Sequence, residues 1–200
     1  MGLSLVKGQK ISLEKEGGGG LTRVAMGLGW DAVQPKGIMA FFSSPKEIDL
    51  DASCVMFDAA KNIVDVVWFR QLASKDGSIQ HSGDNRTGAG DGDDETINVD
   101  LSRVPANVTS LVFTINSFTG QTFNEIENAL CRLINLANNQ EIAKYSLSGG
   151  GNVTAQRLSG DKVLENRGFL YSPFWGFSKI PVFLCKRSCP AVGIPLFSSV

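Results

Sequence analysis

The densest group of residues able to do chemistry is a glycine-rich acidic segment at residues 83–95, with the sequence GDNRTGAGDGDDE. It holds five carboxylates and one arginine within the twelve residues that begin at Asp84. Two like charges about 4 Å apart repel by roughly 1 kcal/mol in water and by about 4 kcal/mol at an effective dielectric constant of 20. A folded loop that holds five carboxylates therefore needs a cation.

The chemistry of this segment suits a hard metal ion. Carboxylate oxygens, together with backbone carbonyls made accessible by the glycines, match Ca²⁺, which takes about 6 to 8 oxygen ligands in flexible geometry. Mg²⁺ fits less well, because it requires a tighter octahedron and keeps its waters. The sequence therefore predicts Ca²⁺ as the bound ion.

The acidic segment is not an EF-hand, although the span from Asp84 to Glu95 has the right length. The third position is Arg86, the sixth is Ala89 where the sharp turn needs glycine, and the flanking residues predict strands rather than helices. A calcium loop between two strands remains open. So does the alternative that the acidic run is only a solvated polar loop.

A second acidic element strengthens the metal hypothesis. Asp49 and Asp51 lie two residues apart in EIDLDAS, which places both side chains on one face of a predicted strand, and Asp31 ends the preceding segment. Aspartate is a poor strand former. A functional reason for the pair is therefore expected.

The elements that must position these residues are predicted to be strands. Apolar side chains alternate with period two between the glycine clusters, and this pattern is typical of a strand with one buried face. Residues 62–72 are more continuously apolar and predict a central strand covered on both faces. We expect about eight strands before residue 150, including a hairpin formed by 129–136 and 141–147, and the alternating segments 24–30, 48–54, 97–101 and 111–115.

The fold class predicted from this pattern is all-β, an antiparallel β-sandwich with one or two short helices. The helix signal is confined to the segment from Thr122 to Asn128, where Thr122 is followed three residues later by Glu125. No crossover helix recurs between the strands, as a parallel sheet would require.

The composition changes near residue 168. From Gly168 onward there is no acidic residue, and four of the seven prolines fall there. We therefore divide the chain into a β-sandwich domain at 1–167 and a tail rich in proline and aromatic residues at 168–200. The prolines predict that residues from about Pro173 onward form no regular sheet layer.

Charge and apolar patterning exclude several classes of partner. The chain has 19 basic and 20 acidic residues, a net charge of −1, so no overall field attracts nucleic acid or an anionic membrane. No apolar stretch approaches the roughly 18 residues of a membrane span. The first residues lack the apolar run of a secretory signal. We expect a cytoplasmic protein that is not inserted in a membrane.

The sequence offers little for catalysis. His81, the only histidine, has serines nearby but no nucleophile elbow, so we interpret it as a solvated loop histidine. Cys54 and Cys131 are predicted to be small core residues. Cys185 and Cys189 lack the further ligands of a tetrahedral metal site. No enzymatic activity is expected.

Three arginines keep a second function open. Arg23, Arg86 and Arg103 could grip a phosphate, which would make the chain a small-ligand or nucleotide-binding module in which a cation bridges to the phosphate.

Five segments resemble successive blocks of the TerD family of tellurium-resistance and stress proteins. The resemblance runs from about Gly2 to Thr154, and the SFTGQTF stretch is most similar to the TerZ branch of the family. The C-terminus departs from the family pattern, as a divergent tail or a change of reading frame would produce. The segments are KGQKISLEK, LTRVAMGLGWDA, IDLDASCVMFD, DGSIQHSGDNRTGAGDGDDETINVDLSRVPANV and FTINSFTGQTFNEIENALCRLIN.

The resemblance implies a cytoplasmic β-sandwich without enzymatic activity that binds Ca²⁺ through the acidic loop and the DLDAS strand. It also implies a role in tellurite resistance together with other tellurium-resistance proteins. The metal ligands that it implies by motif position are Asp31, Asp49, Asp51, Asp84, Asn85, Asp91, Asp93, Asp94 and Glu95.

Overall fold

A computed structural model of the chain describes residues 2–5, 10–11, 20–31, 48–118, 123, 126–147, 179–186 and 194–195. In chain order, the strands of these residues are β1 Leu3–Ser4, β2 Lys10–Ile11, β3 Arg23–Asp31, β4 Leu50–Asp58, β5 Ile63–Val67, β6 Ile79–His81, β7 Glu95–Asp100, β8 Val108–Ser117, β9 Glu127–Asn135, β10 Gln140–Ser146, β11 Lys179–Lys186 and β12 Ile194–Pro195.

Two large sheets make up the fold. The first has six strands in the order β1-β10-β9-β3-β7-β6, and the second has four in the order β11-β8-β4-β5. β12 and β2 form a separate two-stranded pair. The described pairings are antiparallel apart from that of β1 with β10. The predicted all-β sandwich is confirmed.

The main core is built from alternate residues of the two sheets. Fully burying one such aliphatic or aromatic side chain contributes roughly 1.5 to 3 kcal/mol. The predicted period-two alternation is therefore what defines the inner faces. Its members include Val24, Met26, Leu28 and Trp30 of β3, Leu50, Ala52, Cys54 and Met56 of β4, Ile97 and Val99 of β7, and Leu111, Phe113 and Ile115 of β8.

The prediction of a central strand over 62–72 is wrong. β5 ends at Val67 and is an edge strand of the four-stranded sheet. The chain then turns, with Trp68 and Gln71 bonded through their backbones. Asp65 supports the turn by accepting hydrogen bonds from Lys75 N at 2.7 Å and Gln71 Nε2 at 3.0 Å. A run of apolar residues alone could not distinguish a two-sided strand from a short edge strand followed by a turn.

The hairpin prediction is confirmed, whereas the helix prediction is not. β9 and β10 pair antiparallel around a turn in which Asn139 adopts a φ of 55°. β9 already begins at Glu127, so no helix runs to Asn128. Thr122 and Glu125, on which the helix prediction rested, lie outside the described residues. No helix in the described part of the chain is long and apolar enough to cross a membrane.

The prediction that residues from about Pro173 form no regular sheet layer is also wrong. β11 pairs antiparallel with β8 through a register that runs from Lys179 opposite Asn116 to Lys186 opposite Ser110. Pro181 is accommodated next to a register irregularity between Pro181 and Phe183. A proline at an edge strand or bulge costs little, because no ladder hydrogen bond is required there. The division of the chain at residue 168 stays a prediction.

The pairing of β11 makes truncation costly. A chain that ends at Tyr171 loses β11 and leaves β8 as an unpaired edge. We expect its unfolding midpoint in urea to fall and the amides of residues 110–116 to exchange faster with deuterated solvent. Unchanged exchange in this segment would contradict the pairing.

Candidate metal centre

The acidic segment lies across β3 because two glycines leave room for it. A Cβ atom on Gly27 would overlap the carboxylate of Asp93, and one on Gly29 would lie 2.7 Å from the carbonyl oxygen of Gly92. A side chain at position 27 would displace the Asp93 carboxylate, and one at position 29 would require the backbone at Gly92 to shift. The two glycines of β3 therefore allow the loop to pack directly on the strand.

Asp94 fastens the loop to β3. Its N–H donates to the carbonyl of Leu28 at 2.8 Å, and its Oδ2 accepts the N–H of Trp30 at 2.9 Å. Its Oδ1 accepts from Asn85 Nδ2 at 2.9 Å. Burial raises the pKa of Asp94, the Trp30 hydrogen bond lowers it, and the net direction is upward. Both carboxylate oxygens thus already hold the loop.

Asp93 is paired with a cation that the sequence analysis did not identify. Arg132 of β9 donates from Nε to Oδ1 at 2.8 Å and from Nη2 to Oδ2 at 3.1 Å. The hydrogen bond with Asp93 is the main reason why the pKa of Arg132 is raised. Arg132 lies directly opposite Gly27 in the register of β9 and β3. This position beside the acidic loop is what could have identified Arg132, but it is visible only once the register of β9 against β3 is known.

Glu95 joins the acidic loop to the four-stranded sheet. Its side chain is fully buried, and Oε2 accepts the N–H of Ala52 at 2.7 Å. Oε1 accepts the N–H of Asn85 at 3.2 Å. The pairing of β4 with β5 ends at Cys54, so the backbone of Ala52 lies beyond the end of β5. Glu95 supplies the acceptor that a neighbouring strand would otherwise provide.

His81 is buried in β6, so the prediction of a solvated loop histidine is wrong. Its Nε2 lies 3.1 Å from the carbonyl oxygen of Ala52 and 3.5 Å from Glu95 Oε2, and its Nδ1 accepts the N–H of Gly83 at 3.0 Å. Burial lowers the pKa of His81, but the hydrogen bond and charge of Glu95, the Ala52 carbonyl and the charge of Asp51 together raise it, and the net direction is upward. The Gly83 bond requires an unprotonated Nδ1, so the arrangement is that of the neutral Nε2–H tautomer.

Three of the predicted ligands converge at one place. Oxygens of Asp49, Asp51 and Asp84 all lie within 4.8 Å of one another. Asp49 and Asp51 are only 6% and 5% exposed, whereas Asp84 is exposed. Burial, followed by the charges of Asp49, Glu95 and Asp84, raises the pKa of Asp51 from 3.8 to about 7. We call these three residues the carboxylate cluster.

Hydrogen bonds to main-chain carbonyl groups fix the position of the carboxylate cluster. Trp30 Nε1 donates to the carbonyl of Ile48 at 2.8 Å, which fixes the entry into β4. The N–H of Phe118 donates to the carbonyl of Asp49 at 2.8 Å. Asp84 is the residue before Asn85, whose N–H is held by Glu95.

The other predicted ligands form contacts outside the carboxylate cluster. Asp93, Asp94 and Glu95 anchor the loop, as described above. The side-chain oxygen of Asn85 accepts from the N–H groups of Thr87 and Gly88 at 3.1 and 3.2 Å. Asn128 Nδ2 donates to Asp31 Oδ2 at 2.5 Å, and Asp91 is exposed. The geometry groups three of the nine residues and leaves the ligand roles of the others as predictions.

The three arginines of the phosphate hypothesis do not converge. Arg23 lies opposite Asp100 at the end of β7, and the N–H of Arg103 donates to the carbonyl of the same Asp100. Arg86 follows Asn85 in the acidic loop, and the N–H of Asn85 donates to Glu95 at the other end of β7. Five residue steps of a strand separate the two ends by about 17 Å.

Comparison with known proteins identifies the family. The family model described as the TerD domain matches residues 1–159. The chain is 51% identical over 158 residues to the tellurium resistance protein TerZ of Serratia marcescens, covering 78% of this chain and 81% of that protein. The chain belongs to the TerD family. The resemblance seen in the sequence is thereby confirmed, and the family is one of tellurium-resistance and stress proteins.

Other members and a solved structure agree. The general stress protein 16U of Bacillus subtilis (strain 168) is 36% identical over 179 residues, covering 86% of this chain and 89% of that protein. The crystal structure of a homologue of a telluride resistance protein (TerD) from Streptomyces coelicolor A3(2) matches with a TM-score of 0.60 at 20% identity. That match covers 90% of this chain and 91% of the other, and supports the fold.

Glu95 is expected to be essential for stability rather than only for ion binding. The backbone N–H groups of Ala52 and Asn85 each donate to one oxygen of Glu95. The substitution Glu95→Gln replaces one of these oxygens by an N–H₂ group, which cannot accept a hydrogen bond. We expect a loss of about 2 kcal/mol in the free energy of unfolding in metal-free buffer. Asp91→Asn, which changes an exposed acid of the same loop, serves as the control. Equal stability of the two variants in urea unfolding would contradict the anchoring role.

Asp51 should make the stability of the metal-free protein depend on pH. Its pKa is higher in the folded state, so folding favours the protonated form, and stability falls as the pH rises from about 4 to 7. His81, whose pKa is also raised, contributes in the same direction near neutral pH. We expect Asp51→Asn to flatten this decline, as measured by urea unfolding between pH 5 and 8. If the free energy of unfolding of Asp51→Asn depends on pH as steeply as that of wild type, the carboxylate of Asp51 is not the group responsible.

Proposed function

We propose that this protein is a non-enzymatic calcium-binding module that contributes to tellurite resistance or the stress response, with Ca²⁺ held by the carboxylate cluster. The observation that carries the proposal is the convergence of Asp49, Asp51 and Asp84, whose oxygens lie within 4.8 Å of one another. The family membership supports the physiological role, since relatives are named as tellurium resistance and stress proteins.

Burial makes the cluster unfavourable without a counter-charge. Two ionised carboxylates that are almost completely buried lose their hydration and repel each other. Neither Asp51 nor Asp84 forms a salt bridge within the described part of the chain. A bound divalent cation would remove the repulsion and restore the lost solvation.

The donor set favours a hard ion. The cluster offers only oxygens, and both ring nitrogens of the nearby His81 are engaged with backbone groups. Zn²⁺ usually takes nitrogen or sulfur ligands in a closed tetrahedron. Ca²⁺ accepts carboxylates, carbonyls and waters in irregular geometry at about 2.3 to 2.6 Å. When bound, the ion would supply positive charge at the junction of β4 with the acidic loop.

The same contacts support a binding role over catalysis. The only histidine of the chain is committed to the backbone of Ala52 and Gly83, which leaves it no nitrogen to activate a nucleophile. Binding of Ca²⁺ would instead lock the acidic loop onto β4. This could complete a surface for other tellurium-resistance proteins in the cytoplasm.

Calorimetric titration with Ca²⁺ tests the proposal. We expect wild-type protein to bind and its melting temperature to rise, because the ion binds only the folded state. Asp51→Asn should weaken binding by at least about tenfold, since it removes a buried anionic ligand. Mg²⁺ at equal concentration should raise the melting temperature much less.

Asp91→Asn is the matched control, because it removes the same charge from an exposed position in the same loop. Its calcium affinity should stay within about twofold of wild type, as expected for an exposed and screened charge. A wild-type protein whose melting temperature is the same in millimolar Ca²⁺ and in chelator would refute the proposal.

A further inference from the structure

A row of polar side chains crosses the face of the four-stranded sheet that points away from the main core. Core residues alternate along β4 and β8, so Asp51 and Ser53 of β4 lie on the opposite face, together with Thr114 and Asn116 of β8. The register places Asp51 directly opposite Asn116 and Ser53 directly opposite Thr114. Cross-strand partners in an antiparallel pair point to the same face, with Cβ atoms about 4.5 to 5.5 Å apart.

This polar row is buried and incompletely bonded. Ser53, Thr114 and Asn116 are 1%, 2% and 6% exposed. Within the described residues, Ser53 Oγ, Thr114 Oγ1 and Asn116 Oδ1 have no hydrogen-bond partner. Buried polar atoms are normally satisfied, and leaving three neighbouring ones unsatisfied is unfavourable. Together with Asp51, these atoms offer several oxygens to a bound group at this position.

The chemistry of the pair formed by Asp51 and Asn116 narrows the nature of that ligand. An ionised carboxylate and a carboxamide oxygen are both acceptors, so they cannot bond to each other. They can share a cation. The carboxylate cluster provides three protein ligands, whereas Ca²⁺ takes about 6 to 8 oxygens. Asn116 lies next to Asp51 and offers a neutral oxygen of the required kind.

We propose that Asn116 Oδ1 is a further ligand of the cation held by the carboxylate cluster, and that the hydroxyl groups of Ser53 and Thr114 hold water that completes its coordination. This inference rests on the calcium binding proposed above. The cation needs oxygen ligands beyond those of Asp49, Asp51 and Asp84. We assign these further ligands to β8 and β4 rather than to Asp91, Asp93 and Asp94 of the acidic loop. The site thus belongs to the sheet as much as to the loop.

The alternative explanation is that these atoms are simply unsatisfied, or that the amide of Asn116 is turned so that its N–H₂ donates to Asp51. The substitution Asn116→Leu separates these explanations, because leucine has a similar volume and no polar atom. Removing an unsatisfied oxygen should preserve or raise stability in chelator. Removing a donor to Asp51 should lower stability.

The experiment is calcium titration by calorimetry, paired with urea unfolding in chelator, on four proteins. These are wild type, Asn116→Leu, Thr114→Val and the control Ser78→Ala. Ser78 also has a buried hydroxyl oxygen without a hydrogen-bond partner among the described residues, but it precedes β6 in the other sheet. We expect calcium affinity to fall about tenfold or more in Asn116→Leu, to fall less in Thr114→Val, and to be unchanged in Ser78→Ala.

In chelator, the unfolding midpoints of Asn116→Leu and Thr114→Val should equal or exceed that of wild type. Wild-type affinity in Asn116→Leu, or a midpoint in chelator that falls, would overturn the assignment while leaving calcium binding intact. If Asn116→Leu does not fold, Thr114→Val decides by the same criteria. Absence of binding by wild-type protein would refute the proposed function and this assignment together.

Discussion

The fold around the candidate site depends on the buried carboxylate of Glu95. Strand β5 is too short to cover Ala52, and Glu95 accepts the backbone N–H that is left over. Its second oxygen holds the N–H of Asn85. One side chain therefore links β7, β4 and the acidic loop, and this places Asp84 beside Asp49 and Asp51. A shorter or neutral side chain at this position could not make both bonds.

Six of the acidic residues around the candidate site form two groups with different roles. Asp93, Asp94 and Glu95 each accept hydrogen bonds from named donors, so their charges are compensated by the protein itself. Asp49, Asp51 and Asp84 instead converge on one another. The first group positions the loop, and the second brings three carboxylates within 4.8 Å of one another. The calcium proposal follows from the second group, and the first group makes that arrangement rigid.

The strand pattern was predictable from sequence because it depends on local alternation, and so was the hairpin formed by β9 and β10. The roles of the acids were not, because their partners are distant along the chain: Arg132 lies 39 residues from Asp93, and Asp94 lies 64 residues from Trp30. Burial of His81 likewise depends on the contact of β6 with β4. The proline-rich composition near Pro181 concealed β11, since edge pairing tolerates a proline at a bulge.

The most direct test is the crystal structure of the full chain grown with Ca²⁺, with the ion identified by its anomalous signal. We expect one ion among Asp49, Asp51 and Asp84, with carboxylate oxygens about 2.3 to 2.6 Å away. An ion coordinated only by Asp91, Asp93 and Asp94, with the contact between Arg132 and Asp93 broken, would contradict it.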